Sequence, residues 1–222
     1  MRMRRKRNLD ERIAACTNLI QADLSEKNML LADKIDHRID FAAVFGNDHP
    51  VHLEIGCGKG GFIMEMARRH PELNFVAIEM ISNVLVEPCE KSLAEGLSNI
   101  VYLNTRAECL KSYIPPRSVE KIYLNFSTPL PKKGYEKQRL THPRFLSIYR
   151  ELLKEGGVVS QKTDDRFFFA YSLEQFNGEN WGLKHISTDL HADNDPENIV
   201  TEHEKRFSDQ GLPIFYLEAF IR

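Results

Sequence analysis

The stretch Val51-His-Leu-Glu-Ile-Gly-Cys-Gly-Lys-Gly-Gly61 decides the fold, because an apolar strand pattern runs into four glycines and then into a helical pattern. Glycines at 56, 58 and 60 allow a tight turn and bring bare amides close to a ligand, where a Cβ would obstruct it. Gly56, Gly58 and Gly61 also satisfy the dinucleotide spacing G-x-G-x-x-G. The stretch therefore predicts a nucleotide-cofactor site without naming the cofactor.

Two carboxylates narrow the choice of cofactor. Glu54 precedes the first glycine by two residues, where its charge would repel a phosphate and attract a cation. S-adenosylmethionine carries a sulfonium and an ammonium and no phosphate, so it suits Glu54 better than a pyrophosphate does. Glu79 closes the next strand pattern, and an acid there can accept both ribose hydroxyls in either cofactor class. The alternative interpretation of Glu79 is a solvated acid at a strand end.

Length and composition agree with one α/β enzyme domain, because 222 residues of which 42% are hydrophobic can bury a full core. No apolar run approaches the roughly 18 residues that span a membrane, and the basic start lacks the apolar stretch of a secretory signal. We therefore expect the protein to be located in the cytoplasm. The four cysteines form no C-x-x-C pair and the eight histidines show no ligand spacing, so neither a disulfide framework nor a metal site is predicted.

The net charge is only −2, but its distribution is uneven. Between residues 132 and 150 there are six basic residues and one acid, Glu136. Five of the first seven residues are also basic: Arg2, Arg4, Arg5, Lys6 and Arg7. Either segment alone could be a tail or a solvated loop, but together they favour a polyanionic substrate. The candidates for phosphate contact are Arg2, Arg4, Arg5, Lys6, Lys132, Lys133, Lys137 and Arg139.

Alternating strand and helix patterns predict a Rossmann-like, doubly wound, mostly parallel sheet of seven strands. The predicted strands are 51–55, 73–79, 100–104, 120–126, 157–162, 183–189 and 213–221. The predicted helices are 60–70, 82–95, 142–154, 166–177 and 198–208. Pro88 is expected to kink or shorten the second helix unless it begins a new turn. The last strand has no room for a crossover, so we expect it to insert antiparallel. Residues 1–48 form a basic, partly helical segment appended to the domain at 49–222.

Three polar segments are predicted to meet at the carboxyl edge of the sheet, where open α/β sheets bind ligands. A strand leads into the proline-stiffened basic loop Ser127-Thr-Pro-Leu-Pro-Lys-Lys133. Another strand leads into Thr163-Asp-Asp-Arg166. The third segment is Thr201-Glu-His-Glu204, whose spacing also fits a capping box at a helix start. A capping Thr at that position can still face the pocket.

These residues resemble the bacterial tRNA (guanine-N7-)-methyltransferases, which modify the variable loop of tRNA. The resemblance covers nearly the whole chain. Its matching motifs are Glu54-Ile-Gly-Cys-Gly-Lys-Gly60, Ala77-Ile-Glu79, Leu124-Asn-Phe-Ser127, Pro131-Lys-Lys133, Arg139-Leu-Thr141, Lys162-Thr-Asp164, Asp189-Leu-His191, Asn198-Ile199, Thr201-Glu-His-Glu204 and Gly211-Leu-Pro-Ile214. Together they are far more specific than a glycine motif alone.

The resemblance implies an S-adenosylmethionine-dependent methyltransferase domain that acts on tRNA. It implies cofactor contacts for the glycine turn and its neighbours, at Glu54, Gly56, Gly58, Glu79, Arg106 and Thr128. It implies contacts with the target nucleotide for Lys132, Asp164, Thr201, Glu202, His203 and Glu204. Asp164 and the position of Thr128 are the catalytic candidates. Oligomeric state, monomer or homodimer, stays undecided.

Two departures from the family pattern affect the predicted site. The family has Ser-Asp-Pro-Trp where this chain has Ser127-Thr-Pro-Leu130, so Thr128 cannot supply the family's catalytic charge. The family has Asn-x-Asp-Ala near the adenine, and here Arg106 takes the place of that acid. Glu108 would point to the same side of an extended chain as Arg106 and is a candidate substitute.

Loss of the family Asp need not abolish methyl transfer, because guanine N7 already presents an in-plane lone pair. The site must align N7, the methyl carbon and sulfur, and must stabilise positive charge moving onto the purine. We therefore expect retained but slower activity. The alternatives are a catalytically decayed tRNA-binding homologue, suggested by Thr128 and Arg106, and a small-molecule methyltransferase. A nicotinamide-dependent oxidoreductase is disfavoured by Glu54.

Overall fold

The computed structural model describes residues 4–21 and 37–222. The strands are β1 (Leu19–Gln21), β2 (Val51–Ile55), β3 (Asn74–Ile78), β4 (Ile100–Asn104), β5 (Val119–Asn125), β6 (Leu153–Thr163), β7 (Trp181–Ser187) and β8 (Phe215–Ile221). The described α-helices are α1 (Leu9–Ala15), α2 (Phe41–Phe45), α3 (Gly61–Arg69), α4 (Ser82–Ala94), α5 (Leu110–Tyr113), α6 (Pro143–Leu152), α7 (Arg166–Gly178) and α8 (Glu202–Ser208). Short 3₁₀ helices lie at Ala107–Cys109 and Lys133–Gln138.

All eight strands belong to one sheet, in the order β1-β4-β3-β2-β5-β6-β8-β7. The neighbouring strands are parallel, except that β8 runs antiparallel to both β6 and β7. This topology confirms the doubly wound sheet with an antiparallel last strand. The predicted count of seven strands was too low, because β1 adds a three-residue edge strand from within the N-terminal segment. Three residues are too few to give an alternating pattern in the sequence.

The order of the strands reverses between β2 and β5. From β2 the chain continues outward through β3 and β4, whereas β5 returns to the other side of β2. In open α/β sheets a ligand binds at such a switch point, outside the carboxyl ends of the strands. The glycine stretch follows β2 directly and therefore lies at this point.

The two faces of the sheet bury different side chains, because successive strand residues point in opposite directions. Leu53 and Ile55 enter the larger core, which also contains side chains from α6 and α7. Glu54 lies on the opposite face, which α3 and α4 cover. Register places Glu54 beside Tyr123 and Asn125 beside Lys162. Glu54, Asn125 and Lys162 therefore share one face, at the carboxyl edge.

Pro88 lies inside α4, which nevertheless runs unbroken from Ser82 to Ala94. The expectation that Pro88 shortens this helix was wrong. Pro88 packs closely against Gly60, where an added Cβ would lie only 2.6 Å from the Cβ of Pro88. The lack of a side chain at Gly60 therefore leaves room for the proline ring, which packs α4 closely against the glycine turn.

Other predicted elements end within a few residues of the observed ones, and local chemistry explains two of the differences. β5 ends at Asn125 because Phe126 takes a positive φ of 51°. The helix predicted from residue 198 begins at Glu202, because Thr201 caps it. Within residues 4–21 and 37–222, no helix combines the length and apolarity needed to cross a membrane.

Candidate active site

The glycine turn after β2 has the backbone conformation that the sequence predicts. Gly56, Gly58 and Gly60 have φ values of 83°, 54° and 75°, in the left-handed region that disfavours side chains. The amides of Gly56 and Cys57 both donate to the carbonyl of Ile78, at 2.8 and 3.0 Å. A Cβ at Gly56 or Gly58 would meet no atom within 4 Å, so it would project into free space. The turn thus leaves bare backbone facing a cavity.

That cavity has a volume of about 590 Å³ and lies at the switch point of the sheet. Its walls come from the glycine turn, the start of α3, the end of β5 and the first turn of α8. The lining includes Glu54, Gly56, Gly58, Asn125, Phe126, Thr201, Glu202 and His203. The structure therefore brings together half of the predicted cofactor and substrate residues around one cavity.

Glu54 forms the floor of this cavity with one oxygen unpaired. Only 3% of Glu54 is exposed, and its Oε1 accepts a hydrogen bond from Asn125 Nδ2 at 2.9 Å. Its Oε2 is buried without a hydrogen bond of normal geometry to the described residues. Burial raises the pKa of Glu54 to about 7, against the opposing influence of Asn125 and Lys162. A cationic ligand group would pair Oε2 and restore the ionised form.

Glu79 reaches the same turn from the end of β3. Its Oε2 accepts from the amide of Gly58 at 3.3 Å, and its Oε1 accepts from the amide of Ile81 at 2.9 Å. The Asn104 side-chain amide donates to the Glu79 carbonyl at 2.8 Å, which fixes the backbone there. Glu79 is therefore held in place by backbone donors, while its carboxylate stays half-buried beside the turn.

Arg106 and Glu108 do not line the cavity. Arg106 is exposed, and its guanidinium makes no hydrogen bond or ion pair within the described residues. The extended chain assumed for Arg106 to Glu108 was wrong, because Ala107–Cys109 forms a 3₁₀ helix. Glu108 instead pairs with Arg144 on the surface. The structure thus gives Glu108 a partner other than the cofactor.

Thr128 is exposed on the loop after β5 and is absent from the cavity wall. Two non-glycine residues with positive φ, Phe126 at 51° and Leu130 at 48°, shape this loop. Arg139 donates to the carbonyls of Pro129 and Leu130, at 3.1 and 3.3 Å from Nε. Arg139, a phosphate candidate in the sequence, is therefore already used to hold the loop.

Asp164 and His203 approach each other across the substrate side of the cavity. The Nε2 of His203 lies 3.4 Å from Asp164 Oδ1. The imidazole is also flanked by Phe126 and Phe207, with ring centroids at 4.6 and 4.8 Å. These contacts join the end of β6 to the first turn of α8. The structure confirms that Asp164 and the 201–204 segment lie at one edge.

Glu204 is placed differently from Thr201, Glu202 and His203. Its side chain is fully buried, and its Oε2 lies 3.2 Å from Lys162 Nζ. Lys162 also donates to the carbonyl of Ile199 at 3.0 Å and to the Asn198 side chain. The reciprocal hydrogen bonds between Thr201 and Glu204 complete the predicted capping box. Glu204 thus holds the segment against β6 and does not face the cavity.

Sequence reasoning gave no role to Lys162 or Asn125, although both stand in motifs that carried the resemblance. A lysine within a buried strand pattern was the available signal, because a buried lysine requires a partner. Of the remaining predicted residues, Glu202 is exposed with Lys59 at 3.7 Å. Lys132 is exposed at the start of the 3₁₀ helix Lys133–Gln138 and makes no ion pair within the described residues.

Comparisons with known proteins agree with this geometry. A family model described as "Putative methyltransferase" matches residues 48–217. The tRNA (guanine-N(7)-)-methyltransferase of Bacillus subtilis (strain 168) is 39% identical over 219 residues, which cover 99% of this chain and 98% of that protein. Its counterpart in Listeria monocytogenes serotype 4b (strain F2365) is 46% identical over 184 residues, or 83% and 86% of the two chains. The chain belongs to the tRNA (guanine-N(7)-)-methyltransferase family.

The fold of this methyltransferase is also found in solved structures. The 16S rRNA methyltransferase KamB superposes with a TM-score of 0.63 at 17% identity, over 82% of this chain and 92% of that one. At this identity the likeness concerns the fold alone. S-adenosylmethionine is the methyl donor of this methyltransferase. The unpaired Oε2 of Glu54 fits its positive charge, and the bare glycine turn leaves space for it to approach the backbone.

Proposed function

We propose that this protein transfers the methyl group of S-adenosylmethionine to N7 of a guanine in the variable loop of tRNA. The observation that carries the proposal is Glu54, a buried carboxylate with one unpaired oxygen beside a glycine turn at the switch point. That arrangement selects a cationic cofactor over a phosphate-bearing one. The curated relatives named as tRNA (guanine-N(7)-)-methyltransferases supply the substrate.

On the cofactor side, S-adenosylmethionine supplies an electrophilic methyl group on a sulfonium. Glu54 holds a positive charge of the cofactor, with Asn125 fixing the orientation of its carboxylate. Glu79 keeps acceptor capacity for ribose hydroxyls while the amides of Gly58 and Ile81 orient it. Met80 and Ile81, which are 50% and 40% exposed, provide an apolar surface next to Glu79 for the adenine. We assign no cofactor contact to Arg106.

On the substrate side, the residues need to orient guanine and tolerate a growing positive charge, because N7 needs no deprotonation before attack. Asp164 is suited to both tasks, since its carboxylate can accept hydrogen bonds from the guanine N1 and amino edge. Thr201, Glu202 and His203 bound the same side of the cavity. Glu204 and Lys162 act as positioning residues that fix α8. Lys132 is a candidate for the phosphate backbone.

The test is methyl transfer from labelled S-adenosylmethionine to unmodified bulk tRNA, followed by borohydride and aniline cleavage at N7-methylguanosine. We expect cleavage within the variable loop. Thr128 lies on the exposed loop outside the cavity wall, and we infer that this loop reaches the purine in the tRNA complex, where an oriented carboxylate at position 128 would stabilise the developing charge. Thr128→Asp should therefore raise the single-turnover rate by about 10-fold, the scale of one added charge-stabilising contact.

Thr128→Asn is the matched control, because it has nearly the shape of Asp without its charge. We expect it to react at the wild-type rate. An inactive wild type that still binds tRNA and is rescued by Thr128→Asp would favour the decayed homologue. Labelling of another base or of a small molecule would contradict the proposed substrate.

A further inference from the structure

Phe167 is the most exposed large apolar side chain of the described residues, at 87%. It is the first of three consecutive phenylalanines in α7, and the next two, Phe168 and Phe169, are buried. Since a helix turns by about 100° per residue, packing of the second and third rings leaves the first on the outer face. The fold therefore explains why Phe167 faces solvent but gives the ring no contact that would require an aromatic residue.

The position of Phe167 places it at the substrate edge. α7 begins directly after Asp164 and Asp165, and Asp164 approaches His203, which lines the cofactor cavity. One helical turn further along the same face, Tyr171 lies under the guanidinium of Arg139, 4.3 Å from its ring centroid. Arg139 in turn holds the carbonyls of the loop after β5. Phe167 thus stands at the start of α7, three residues after Asp164 and one helical turn before the Tyr171 that contacts Arg139.

The same loop carries cations that have no protein partner. Lys132, Lys133 and Lys137 are exposed and form no ion pair within residues 4–21 and 37–222. By contrast, Lys6, Lys111, Lys121 and Lys154 are all paired with glutamates. An exposed aromatic face on α7, together with unpaired lysines on the loop that Arg139 links to α7, is a combination with which proteins bind unpaired nucleotides, because the ring stacks on a base while the cations hold the backbone.

We propose that Phe167 stacks on an unpaired base of the tRNA, next to the target guanine, with Lys132, Lys133 and Lys137 on the adjoining phosphates. This inference rests on the proposed function, since the target guanine must leave its own stack to reach the cavity. Displacing that base also exposes its neighbours. Phe167 offers such a neighbouring base a stacking surface in place of the guanine, and thereby favours the opened conformation of the tRNA loop.

The test compares tRNA affinity among four forms: wild type, Phe167→Ala, Phe167→Leu and Phe167→Trp. Alanine should weaken binding by about 5- to 100-fold, the range that loss of one base stack produces. Leucine keeps the apolar area but has no flat ring, so it should weaken binding almost as much. Tryptophan should restore affinity. Its emission should be quenched by tRNA against a constant background, because the natural tryptophan, Trp181, is fully buried.

Three controls separate stacking from other effects. Val44→Ala removes another exposed apolar side chain, on α2, and should leave tRNA affinity unchanged. S-adenosylmethionine affinity and melting temperature should be unchanged in all Phe167 variants. A short RNA duplex without unpaired bases should bind wild type and Phe167→Ala equally, because it offers only phosphates to the lysines.

Wild-type affinity for tRNA in Phe167→Ala would overturn the proposal. Wild-type affinity for tRNA in Phe167→Leu would also overturn it, because a simple apolar contact with the tRNA needs no ring. The failure of the proposed function is distinguishable, since it would appear as absent N7 methylation by the wild type. Stacking is read from binding and fluorescence, which need no methyl transfer.

Discussion

At the scale of single residues, Glu54 gives cofactor binding a dependence on pH. Burial raises its pKa to about 7, so between about pH 5 and pH 7 the cofactor-free protein holds a proton there that an ordinary glutamic acid has lost. A cationic ligand favours the ionised form and displaces that proton. S-adenosylmethionine affinity should therefore rise from about pH 5.5 to pH 7.5 and then level off. Calorimetry in buffers of different ionisation enthalpy would count the released proton.

Glu54→Gln should abolish this pH dependence and weaken binding at about pH 8 by roughly 10- to 100-fold, the value of a hydrogen bond to a charged group. Glu218→Gln is the control, because Glu218 is a half-buried carboxylate that already pairs with Lys121 at 2.5 Å. It should leave the pH dependence of cofactor affinity in place. Unchanged affinity and pH dependence in Glu54→Gln would refute the assigned role.

Two glycines of the same turn should respond differently to alanine. A Cβ at Gly60 would collide with Pro88 at 2.6 Å, so Gly60→Ala should lower the free energy of unfolding by about 2 to 4 kcal/mol. A Cβ at Gly58 meets only the cavity. Gly58→Ala should cost about 1 to 2 kcal/mol of stability through its positive φ and should also weaken cofactor binding by at least about 10-fold.

Urea denaturation and calorimetry on the two variants would provide the comparison. Since both glycines have positive φ, the difference between them isolates what the added methyl group meets. The explanation fails if Gly60→Ala is no less stable than Gly58→Ala.

At the scale of elements, the contact between β6 and α8 depends on a buried ion pair. Lys162 and Glu204 are 7% and 0% exposed in their side chains, and burial lowers the pKa of Lys162 although Glu204 opposes that change. Removal of either partner leaves an uncompensated charge. Lys162→Met or Glu204→Gln should therefore lower the free energy of unfolding by about 3 to 5 kcal/mol. The double variant should lose clearly less than the sum of the two single losses.

Lys154→Met is the matched control for this cycle, because its ion pair with Glu120, at 3.0 Å, is exposed. It should change the free energy of unfolding by no more than about 1 kcal/mol. Urea denaturation measures the free energy of unfolding of these variants. If the buried and the exposed ion pair lost equal amounts, α8 would be held by other contacts.

Some of these elements could be predicted from the sequence, and others depend on contacts with distant residues. β2 and β4 match their predicted bounds, because buried strands between turn residues give a clear pattern. The bounds predicted for α4 were nearly correct, but the expected shortening at Pro88 was wrong. The close packing of Pro88 on Gly60 could not be predicted, because the two residues are distant in the sequence. The position of Glu204 could not be predicted either. A capping box is visible in the sequence, but the lysine that pairs with its carboxylate comes from β6, which is distant in the sequence.

At the scale of the whole molecule, the distribution of charge should set the salt dependence of tRNA binding. Lys132 and Lys133 have no partner among the described residues, so they are free to neutralise phosphates. Lys132→Ala with Lys133→Ala should reduce the slope of log affinity against log salt by about 1.4 to 1.8, or about 0.7 to 0.9 per phosphate contact. Filter binding at several salt concentrations would measure this slope.

Lys154→Ala should leave the slope unchanged, because Lys154 is already paired with Glu120. An unaltered slope in the double variant would exclude Lys132 and Lys133 from the tRNA contact. The N-terminal candidates are less free than the sequence predicted. Lys6 pairs with Glu87 at 2.6 Å, Arg5 pairs with Asp10, and Arg2 lies outside the described residues.

The insertion of β8 between β6 and β7 has a consequence for synthesis on the ribosome. β6 and β7 both precede β8 in the chain, yet neither can complete its hydrogen bonding before residues 215–221 have emerged. Until then β6 presents an unpaired edge, which is a site of misassembly and chaperone contact. Since β6 also carries Lys162 and leads into Asp164, a nascent chain has no finished substrate side. Methyl transfer competence is therefore acquired late, after the last strand has been translated.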